Sequence, residues 1–519
     1  MDAGSSGAAA TALPRIDQPL VGGQLVMAAL LLAAANFIVV LDTTIANVSV
    51  PNIAGGLGAS NSQGTLVITS YAVAEAITVP LTGWLANRFG SVRVFITAMV
   101  MFGLCSILCG LAPSLGSLVA FRVFQGLSGG PLMPLSQTLL LRIFPKEKAA
   151  AAVGLWGMTT LVAPILGPIL GGKICDELSW PFIFFINVPI ALVCAYLGWK
   201  LLRRYETPSL KVRIDIVGLG LLIVWVSAMQ IMLDEGKNLD WFASHEIVVL
   251  AIVAVIGFLA FLIWELTAKE PVVDLRVFRH RGFTMSVVTI CLAFGAFFGS
   301  TVLTPLWLQN YMGYTASQAG IATAASGVLA VLAAPFAASL SEKVDSRLLV
   351  FLGVAWLGIM TLLRTDATSD MTLWQISSLL LFQGLGLPFF FMPLTSLALS
   401  SVDELETASA AGLMNFCRTV AGAFATSLVQ TAWENQTTRN HDELAGLVDR
   451  SGETMGMLTA NGLPSEQARG MIEQLVQGQS VMLATNQVFL WAGLAFILAA
   501  IAIWFAPKPT RVADTTGAH

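Results

Sequence analysis

Four ionisable side chains interrupt otherwise apolar stretches of this sequence. They are Asp42, Glu75, Arg122 and Arg418. A charged group inside hydrocarbon costs roughly 2.5 to 3.5 kcal/mol on insertion scales, so each of the four is expected to have a partner or a function. Two acids and two arginines in an apolar setting can exchange partners with protons and with charged solutes. They predict proton transfer and ion recognition.

Asp42 and Arg122 are expected to lie at matching depth. Each is about seven or eight residues from the outer end of its predicted helix, or roughly 10 to 12 Å at 1.5 Å per residue. Arginine keeps its charge and needs a partner, so the two are predicted to pair. Asp42 is the first choice for the proton carrier, because a carboxylate can exchange an arginine for a proton. The alternative is a structural aspartate that caps a helix break at Asp42-Thr43-Thr44.

Glu75 and Arg418 are the other two candidates. Glu75 falls near the middle of the second predicted helix, where it is expected to be a second proton site or the counter-ion of a cationic solute. The alternative is a protonated glutamate bonded to a neighbouring helix. Arg418, with Asn415 three residues before it on one helical face, is predicted to orient an anionic substrate. A structural arginine is the competing interpretation.

Aromatic side chains are concentrated in the ninth and twelfth predicted helices. Phe294 and Phe298 are predicted to line the substrate site, because aromatic walls offer apolar contact with little directional demand. Gln125, one turn after Arg122, is assigned to the same site. The consecutive residues 389–391 cannot all face one cavity, so most of these rings are expected to contact lipid or other helices.

Long apolar runs must position these residues. The chain has 519 residues, 56% hydrophobic and 11% charged, against roughly 25% charged residues in soluble domains. Runs near 20 residues match a bilayer core. Breaks at Gly, Pro and charge predict fourteen membrane helices near 25–50, 65–86, 92–112, 115–141, 149–172, 181–202, 214–234, 247–267, 283–309, 317–340, 347–364, 372–400, 407–433 and 483–506.

Composition also argues against several classes of partner. The net charge of -4 is spread over short connectors, so nucleic-acid binding is not expected. The four histidines lack ligand spacing and the six cysteines lack paired external spacing, so neither a metal site nor a disulfide framework is predicted. No cofactor is expected, and transport would run on an ion gradient.

An internal repeat at an offset of about 258 residues organises the helices. Gln125-Gly126-Leu127 and Met133-Pro134-Leu135 recur as Gln383-Gly384-Leu385 and Met392-Pro393-Leu394. Six helices therefore repeat in parallel, with two inserted between the halves. The predicted units are a tail 1–24, a six-helix bundle 25–203, an insertion 204–279, a second bundle 280–506 that includes an outer loop 436–482, and a tail 507–519. Lys and Arg are concentrated on the connectors that share a side with the termini, which predicts cytoplasmic termini.

Five motifs, in order, resemble those of the major facilitator superfamily and its 14-spanner drug:proton antiporters. They are the first-helix motif at Leu41–Pro51, the loop motif at Gly83–Gly90, the fourth-helix motif at Arg122–Gly126, the antiporter motif at Ala163–Gly172 and the sixth-helix opening at Phe184–Pro189. Ser62–Thr65 and Pro134–Gln137 are similar to the branch that works in tripartite efflux pumps.

This resemblance implies an all-α major facilitator fold and proton-coupled export of hydrophobic or amphiphilic drugs across the bacterial inner membrane. It also implies a periplasmic adaptor and an outer-membrane channel as partners. An endogenous amphiphile, such as a fatty acid or a siderophore, is the alternative cargo. Gating and hinge roles are expected at Gly83, Asn87, Arg88, Gly90, Ala163, Pro164, Gly167, Pro168 and Gly171. The chain has Asn87 where the family usually has Asp, so any charge pair that this Asp makes in relatives is absent or weakened here.

Overall fold

The computed structural model describes residues 20–145, 149–209, 214–236, 239–341, 343–403, 406–448, 456, 459 and 464–508. Every regular element in these ranges is helical. The first half and the insertion contain α1 (Gly22–Gly56), α2 (Asn61–Gly64), α3 (Leu66–Thr78), α4 (Thr82–Phe89), α5 (Ser91–Gly110), α6 (Leu115–Gly129), α7 (Leu132–Ile143), α8 (Ala149–Glu177), α9 (Phe182–Phe185), α10 (Asn187–Leu202), α11 (Ile216–Glu235) and α12 (His245–Thr267).

The second half continues with α13 (Arg281–Asn310), α14 (Ala316–Ser341), α15 (Ser346–Leu362), α16 (Leu373–Gln383), α17 (Gly386–Ser400), α18 (Thr407–Val448) and α19 (Ser465–Ala502). Length and hydropathy alone qualify nine of the described helices as membrane spans, or ten if α3 and α4 form one. Each of the fourteen predicted segments overlaps a helix or a broken pair of helices. The number of crossings stays a prediction.

Proline and glycine explain where spans break. The helices α3 and α4 meet at an angle of 58° around Pro80, which has no N–H to donate and clashes with the preceding turn. The break between α6 and α7 falls at Gly130-Pro131, and α16 and α17 join through Gly384-Leu385. The predicted continuous spans at these three places are therefore bent or interrupted.

One core of buried apolar residues continues through both halves and the inserted helices, and each half has a further, smaller core of its own. In the first half α1 contacts α7, α8 and α10, and α3 packs on α6; in the second, α13 contacts α18 and α19, and α15 contacts α17 and α19. The backbone N–H of Leu20 donates to Ile143 O at 3.2 Å, and Arg347 Nη1 donates to Ala506 O at 3.1 Å. The start of α1 and the end of α19 thus lie at one end of the bundle, which we call the terminal face.

The inserted helices α11 and α12 pack as a pair against both halves. Trp225 contacts Phe258 within the pair at a ring-centroid distance of 5.1 Å, and Phe416 of α18 at 5.9 Å. Ser427 Oγ, also in α18, donates to Leu233 O at 3.0 Å. On its other side α11 contacts α3. The pair therefore spans one side of the boundary between the halves.

The predicted outer loop 436–482 is wrong over most of its length. The helix α18 continues to Val448 and α19 begins at Ser465, so both helices extend through this segment. His441 Nε2 lies 2.8 Å from Glu473 Oε1, and these contacts tie the extensions together. Polar side chains made the segment look like a loop, although α18 contains no Pro and continues through Gly446 to its end at Val448.

The helix α19 begins at Ser465 with a short apolar face before it enters the bundle. Met471, Ile472, Leu475 and Val476 follow the spacing of one helical face. Val476 is buried, whereas Met471 and Leu475 are 48% and 58% exposed. Val476 is therefore on the side of α19 that packs within the protein, whereas Met471 and Leu475 are on the exposed side.

The two halves meet toward the terminal face. A Cβ atom at Gly83 of α4 would lie inside contact distance of Ser409 of α18. Asn415 Nδ2 donates to Gln137 Oε1 of α7 at 3.1 Å across the same boundary. The helix α8 also contacts α14 and α17. We call the Gly83–Ser409 and Gln137–Asn415 contacts the seam.

Candidate proton-coupling and substrate site

Asp42 lies in α1 with its carboxylate fully buried and bonded to three donors. Arg122 Nη1 of α6 is 2.5 Å from Oδ2. Gln125 Nε2 donates to Oδ1 at 3.1 Å, and Asn187 Nδ2 of α10 donates to the same oxygen at 2.6 Å. The predicted pairing of Asp42 with Arg122 is therefore observed. Its role in proton transfer stays a prediction.

Arg122 is held from several directions. Nε donates to Val67 O at 3.1 Å, Nη1 also donates to Gln125 Oε1 at 2.9 Å, and the guanidinium carbon lies 4.1 Å from the centre of the Tyr71 ring. Nη2 is buried without a partner in the part of the chain described. The guanidinium is thus fixed in place and keeps one donor unused.

The helix-break alternative for Asp42 does not hold. The helix α1 runs without interruption from Gly22 to Gly56, and the hydroxyls of Thr43 and Thr44 bond back to carbonyls one turn earlier. Asp42 has no helix terminus to cap, because it lies in mid-helix.

Asn187 is a site residue that the sequence analysis did not assign. It is buried at the first turn of α10, and its Oδ1 has no partner among the described residues. The quoted sixth-helix opening contains it, but an uncharged amide beside Pro and Phe carries no sign of its role. The signal that would find it is a buried amide in an apolar run.

Glu75 lies in α3, partly exposed. No hydrogen bond or ion pair reaches its carboxylate from the residues that the structure describes. The predicted alternative, a glutamate bonded to a neighbouring helix, is therefore not seen in this conformation. The helix backbone at Glu75 is closely approached by α6, since a Cβ at Gly126 would lie 3.1 Å from Glu75 N. Glu75 thus lies on a closely packed helix without a direct polar partner, but within electrostatic reach of Arg122, Asp42 and Arg418.

Arg418 of α18 lies buried among aromatic rings. Its guanidinium carbon is 5.2 Å from the ring centre of Phe294, 5.8 Å from Trp156 and 5.9 Å from Phe391. Nη2 contacts Met133 Sδ at 2.8 Å, and Nη1 has no partner in the described chain. No counter-ion among the described residues is in direct contact with the guanidinium, which is unfavourable for a buried cation, so this pocket would stabilise an entering anion.

The other predicted substrate residues fall into two groups, those around Arg418 and those bonded to other residues of the protein. Phe294 is buried and contacts Phe298 at 5.7 Å between ring centres, so both belong to the aromatic surroundings of Arg418. Asn415 is occupied by Gln137 across the seam. Gln125 has its amide nitrogen bonded to Asp42 and Ser106. Asn415 and Gln125 are therefore engaged within the protein in this conformation.

The predicted loop motif lies at the terminal face. Gly83 allows α4 to approach α18 at the seam. Gly90 has φ +94°, which favours glycine, and a Cβ there would lie 2.5 Å from Glu206 Oε1. Asn87 is partly buried and Arg88 is exposed. Neither side chain has a polar partner among the described residues.

The predicted stripe on α8 packs on α1. Thr44 Oγ1 contacts Ala163 O at 3.4 Å. A Cβ at Gly167 would lie 2.6 Å from Thr44 Cβ, and one at Gly171 would lie 3.2 Å from Ile45 O. Small residues thus permit close approach of the two backbones. The stripe therefore lies directly beside the α1 turn that carries Asp42.

Pro164 and Pro168 have their backbone within α8. Their side chains lie outside the described residues. The hinge role assigned to them stays a prediction.

The chain, with its two halves of repeated helices and its buried acid and arginine, matches a known protein family. The sequence model of the family described as Major Facilitator Superfamily matches residues 32–426 of this chain. This chain belongs to the major facilitator superfamily. It is 42% identical over 497 residues to multidrug export protein EmrB of Escherichia coli (strain K12), covering 95% of this chain and 97% of that protein.

Another relative and a solved structure extend the comparison. Fatty acid resistance protein FarB of Neisseria gonorrhoeae is 42% identical over 495 residues, covering 95% of this chain and 98% of that protein. The structure of the proton:xylose symporter XylE has a TM-score of 0.58 at 14% identity, over 93% of this chain and 96% of that one. The predicted all-α major facilitator fold is confirmed.

Proposed function

We propose that this protein exports hydrophobic small molecules across the bacterial inner membrane in exchange for protons, with both termini in the cytoplasm. The observation that carries the proposal is the buried Asp42–Arg122 pair, whose acid sits at the end of three donated hydrogen bonds. The family membership and the 42% identity to a protein named as a multidrug exporter support it.

In the proposed cycle a proton entering from the periplasm binds a carboxylate oxygen of Asp42. Neutralisation removes the charge that holds Arg122, because a guanidinium pairs strongly only with the ionised acid. The helices α1 and α6 are then free to move relative to each other. Return of the halves to the inward state releases the proton to the cytoplasm and restores the pair.

Everted membrane vesicles with an acid interior test this cycle. A transported compound should collapse part of the pH gradient in wild-type vesicles, and Asp42→Asn should abolish that response. Glu265→Gln is the matched control: Glu265 is also a buried acid, but it lies in α12 and accepts from Val273 N at 3.3 Å. A wild-type response from Asp42→Asn would move the proton site to Glu75.

The pocket around Arg418 favours a second cargo, an amphiphile with an acidic group. The unpaired buried Nη1 fits a carboxylate, and the aromatic rings fit an apolar chain. The relative named as a fatty acid resistance protein supports this class. Arg418→Gln should remove the proton response to oleate while a neutral drug still responds. Equal loss for both compounds would make Arg418 structural.

We also propose that the paired extensions of α18 and α19 dock a periplasmic adaptor that leads to an outer-membrane channel. Met471 and Leu475 expose apolar surface there, and such exposure on a polar segment is typical of docking sites. Met471→Asp with Leu475→Asp should lower drug resistance of whole cells. The proton response of everted vesicles should not change, because the transport site is intact. A loss in both assays would contradict a docking role.

A further inference from the structure

An apolar groove lies on the outside of the first half, away from the candidate site. It has a volume of about 770 Å³ and is walled by one face of α5, one face of α6 and the last turn of α4. The α5 wall is Val94, Thr97, Ala98 and Met101. These positions follow helical spacing, so the wall is a continuous stripe running from the terminal face into the membrane.

The groove ends at two arginines. Arg88 closes the end of α4 and Arg93 lies in the first turn of α5. Arg88 is exposed, and no described residue pairs with it. Arg93 is 65% exposed and only loosely paired, with Nε 3.8 Å from Glu206 Oε2. Glu206 is itself occupied by the backbone N–H groups of Val92 and Arg93. The mouth therefore has net positive charge.

The dimensions fit one lipid leaflet. From Arg93 to Met101 the helix rises about 12 Å at 1.5 Å per residue, and one leaflet contributes about 15 Å of the hydrocarbon core. The opposite wall includes Phe124, which is 59% exposed, and Leu127, which is 40% exposed. Apolar surface along the leaflet with cations at its edge is complementary to an acyl chain joined to an anionic headgroup.

We propose that this groove binds one anionic phospholipid of the cytoplasmic leaflet, with its phosphate at Arg88 and Arg93 and an acyl chain along α5 and α6. The proposal rests on the cytoplasmic placement of the terminal face proposed above and is independent of what the protein transports. A lipid that contacts a single helix meets a convex surface. This one would lie in a concave groove with a charged end, so it should be retained selectively.

Native mass spectrometry of the full-length detergent-purified protein tests the proposal, with dioleoylphosphatidylglycerol and dioleoylphosphatidylcholine as probes. Wild type should retain one phosphatidylglycerol in preference to phosphatidylcholine. Arg88→Gln with Arg93→Gln should lower that preference by about fivefold for each arginine removed. Arg281→Gln is the matched control, because Arg281 is exposed at the start of α13 and lies outside the groove.

A second variant tests the apolar part. Thr97 is exposed in the α5 wall, and Thr97→Phe should fill the groove and reduce phosphatidylglycerol retention with both arginines intact. Thermal unfolding of each variant checks that the fold is retained. Equal retention of the two lipids by wild type, or wild-type selectivity in the double arginine variant, would overturn the proposal. Equal loss of selectivity in Arg281→Gln would also overturn it, because the effect would then be one of overall charge.

Discussion

A buried acid can carry a proton in a transport cycle only if the donors bonded to its carboxylate can separate from it. Asp42 meets that condition through one guanidinium and two amides. Each amide belongs to a different helix, α6 or α10, so the carboxylate senses the relative position of three helices at once. Movement of either neighbour therefore removes a donor from the carboxylate.

The amide of Asn187 is predicted to be functional. Asn187→Ala removes the 2.6 Å donor to Asp42 Oδ1, and a hydrogen bond to a charged group contributes about 1.5 to 3 kcal/mol. We expect the drug-induced proton response of everted vesicles to fall about tenfold or more. Asn486→Ala is the control, because that amide donates to Ala367 O at 3.0 Å outside the site. Equal effects of both variants would contradict a specific role.

The site could be predicted in part from single residues. Depth counting along two helices was sufficient to pair Asp42 with Arg122, since both charges stand out in apolar surroundings. Gln125 was assigned to substrate, but the structure bonds it to Asp42, because sequence does not tell which face of a helix meets which neighbour. Asn187 was missed for the same reason.

At the scale of the helix, the contact of α8 with α1 depends on the absence of side chains. Gly167→Val would place methyl groups against Thr44, and overpacking costs about 1 to 3 kcal/mol. Gly172→Val makes the same change five residues later, where nothing lies within 4 Å of the added Cβ. We expect Gly167→Val alone to lower the thermal unfolding temperature in detergent. Equal shifts would indicate a general effect of valine in this helix.

Hydrogen exchange distinguishes helical extensions of α18 and α19 from a loop. Backbone amides at 434–448 and 468–482 should be protected in hydrogen exchange, because each N–H in these ranges is bonded to a carbonyl one turn earlier. A loop would exchange within seconds. Measurement by mass spectrometry on the full chain distinguishes the two. Fast exchange through both segments would contradict the helical extensions.

Polarity explains why these extensions were not predicted. Membrane helices were found from their apolar runs, and residues beyond Trp433 lose that signal although the helix continues to Val448. The break at Pro80 was treated as part of one span for the opposite reason, since hydropathy continues through it. Apolar length marks membrane crossings well and helix ends poorly.

For the whole molecule, the seam closes the halves at the terminal face. Gly83→Leu should hold the seam open, because even a Cβ at that position overlaps Ser409. In a variant lacking the six native cysteines and carrying Asn415→Cys, an impermeant maleimide added to everted vesicles should then label position 415. Without Gly83→Leu, that position is buried at the seam and should be labelled much more slowly.

Gly220→Leu is the control for this prediction. Gly220 lies in α11 with nothing within 4 Å of an added Cβ, so labelling at position 415 should remain low and transport should continue. Gly83→Leu should lose transport while its thermal unfolding stays near that of wild type. Protection of position 415 in Gly83→Leu would contradict closure at the seam.

The helix α18 connects the seam, the Arg418 pocket and the far end of the bundle in one continuous helix. Its 42 residues measure about 63 Å at 1.5 Å per residue, about twice the hydrocarbon thickness of a bilayer. It begins at the seam, carries Asn415 and Arg418, and ends beyond the opposite side of the bundle. A rotation of about 15°, as in known subunit rearrangements, would move the end of a 30 Å arm by about 8 Å. The position of the far end of α18, outside the membrane, would therefore depend on whether the Arg418 pocket is occupied. By reciprocity, a partner bound to that end would change how tightly the pocket holds its cargo.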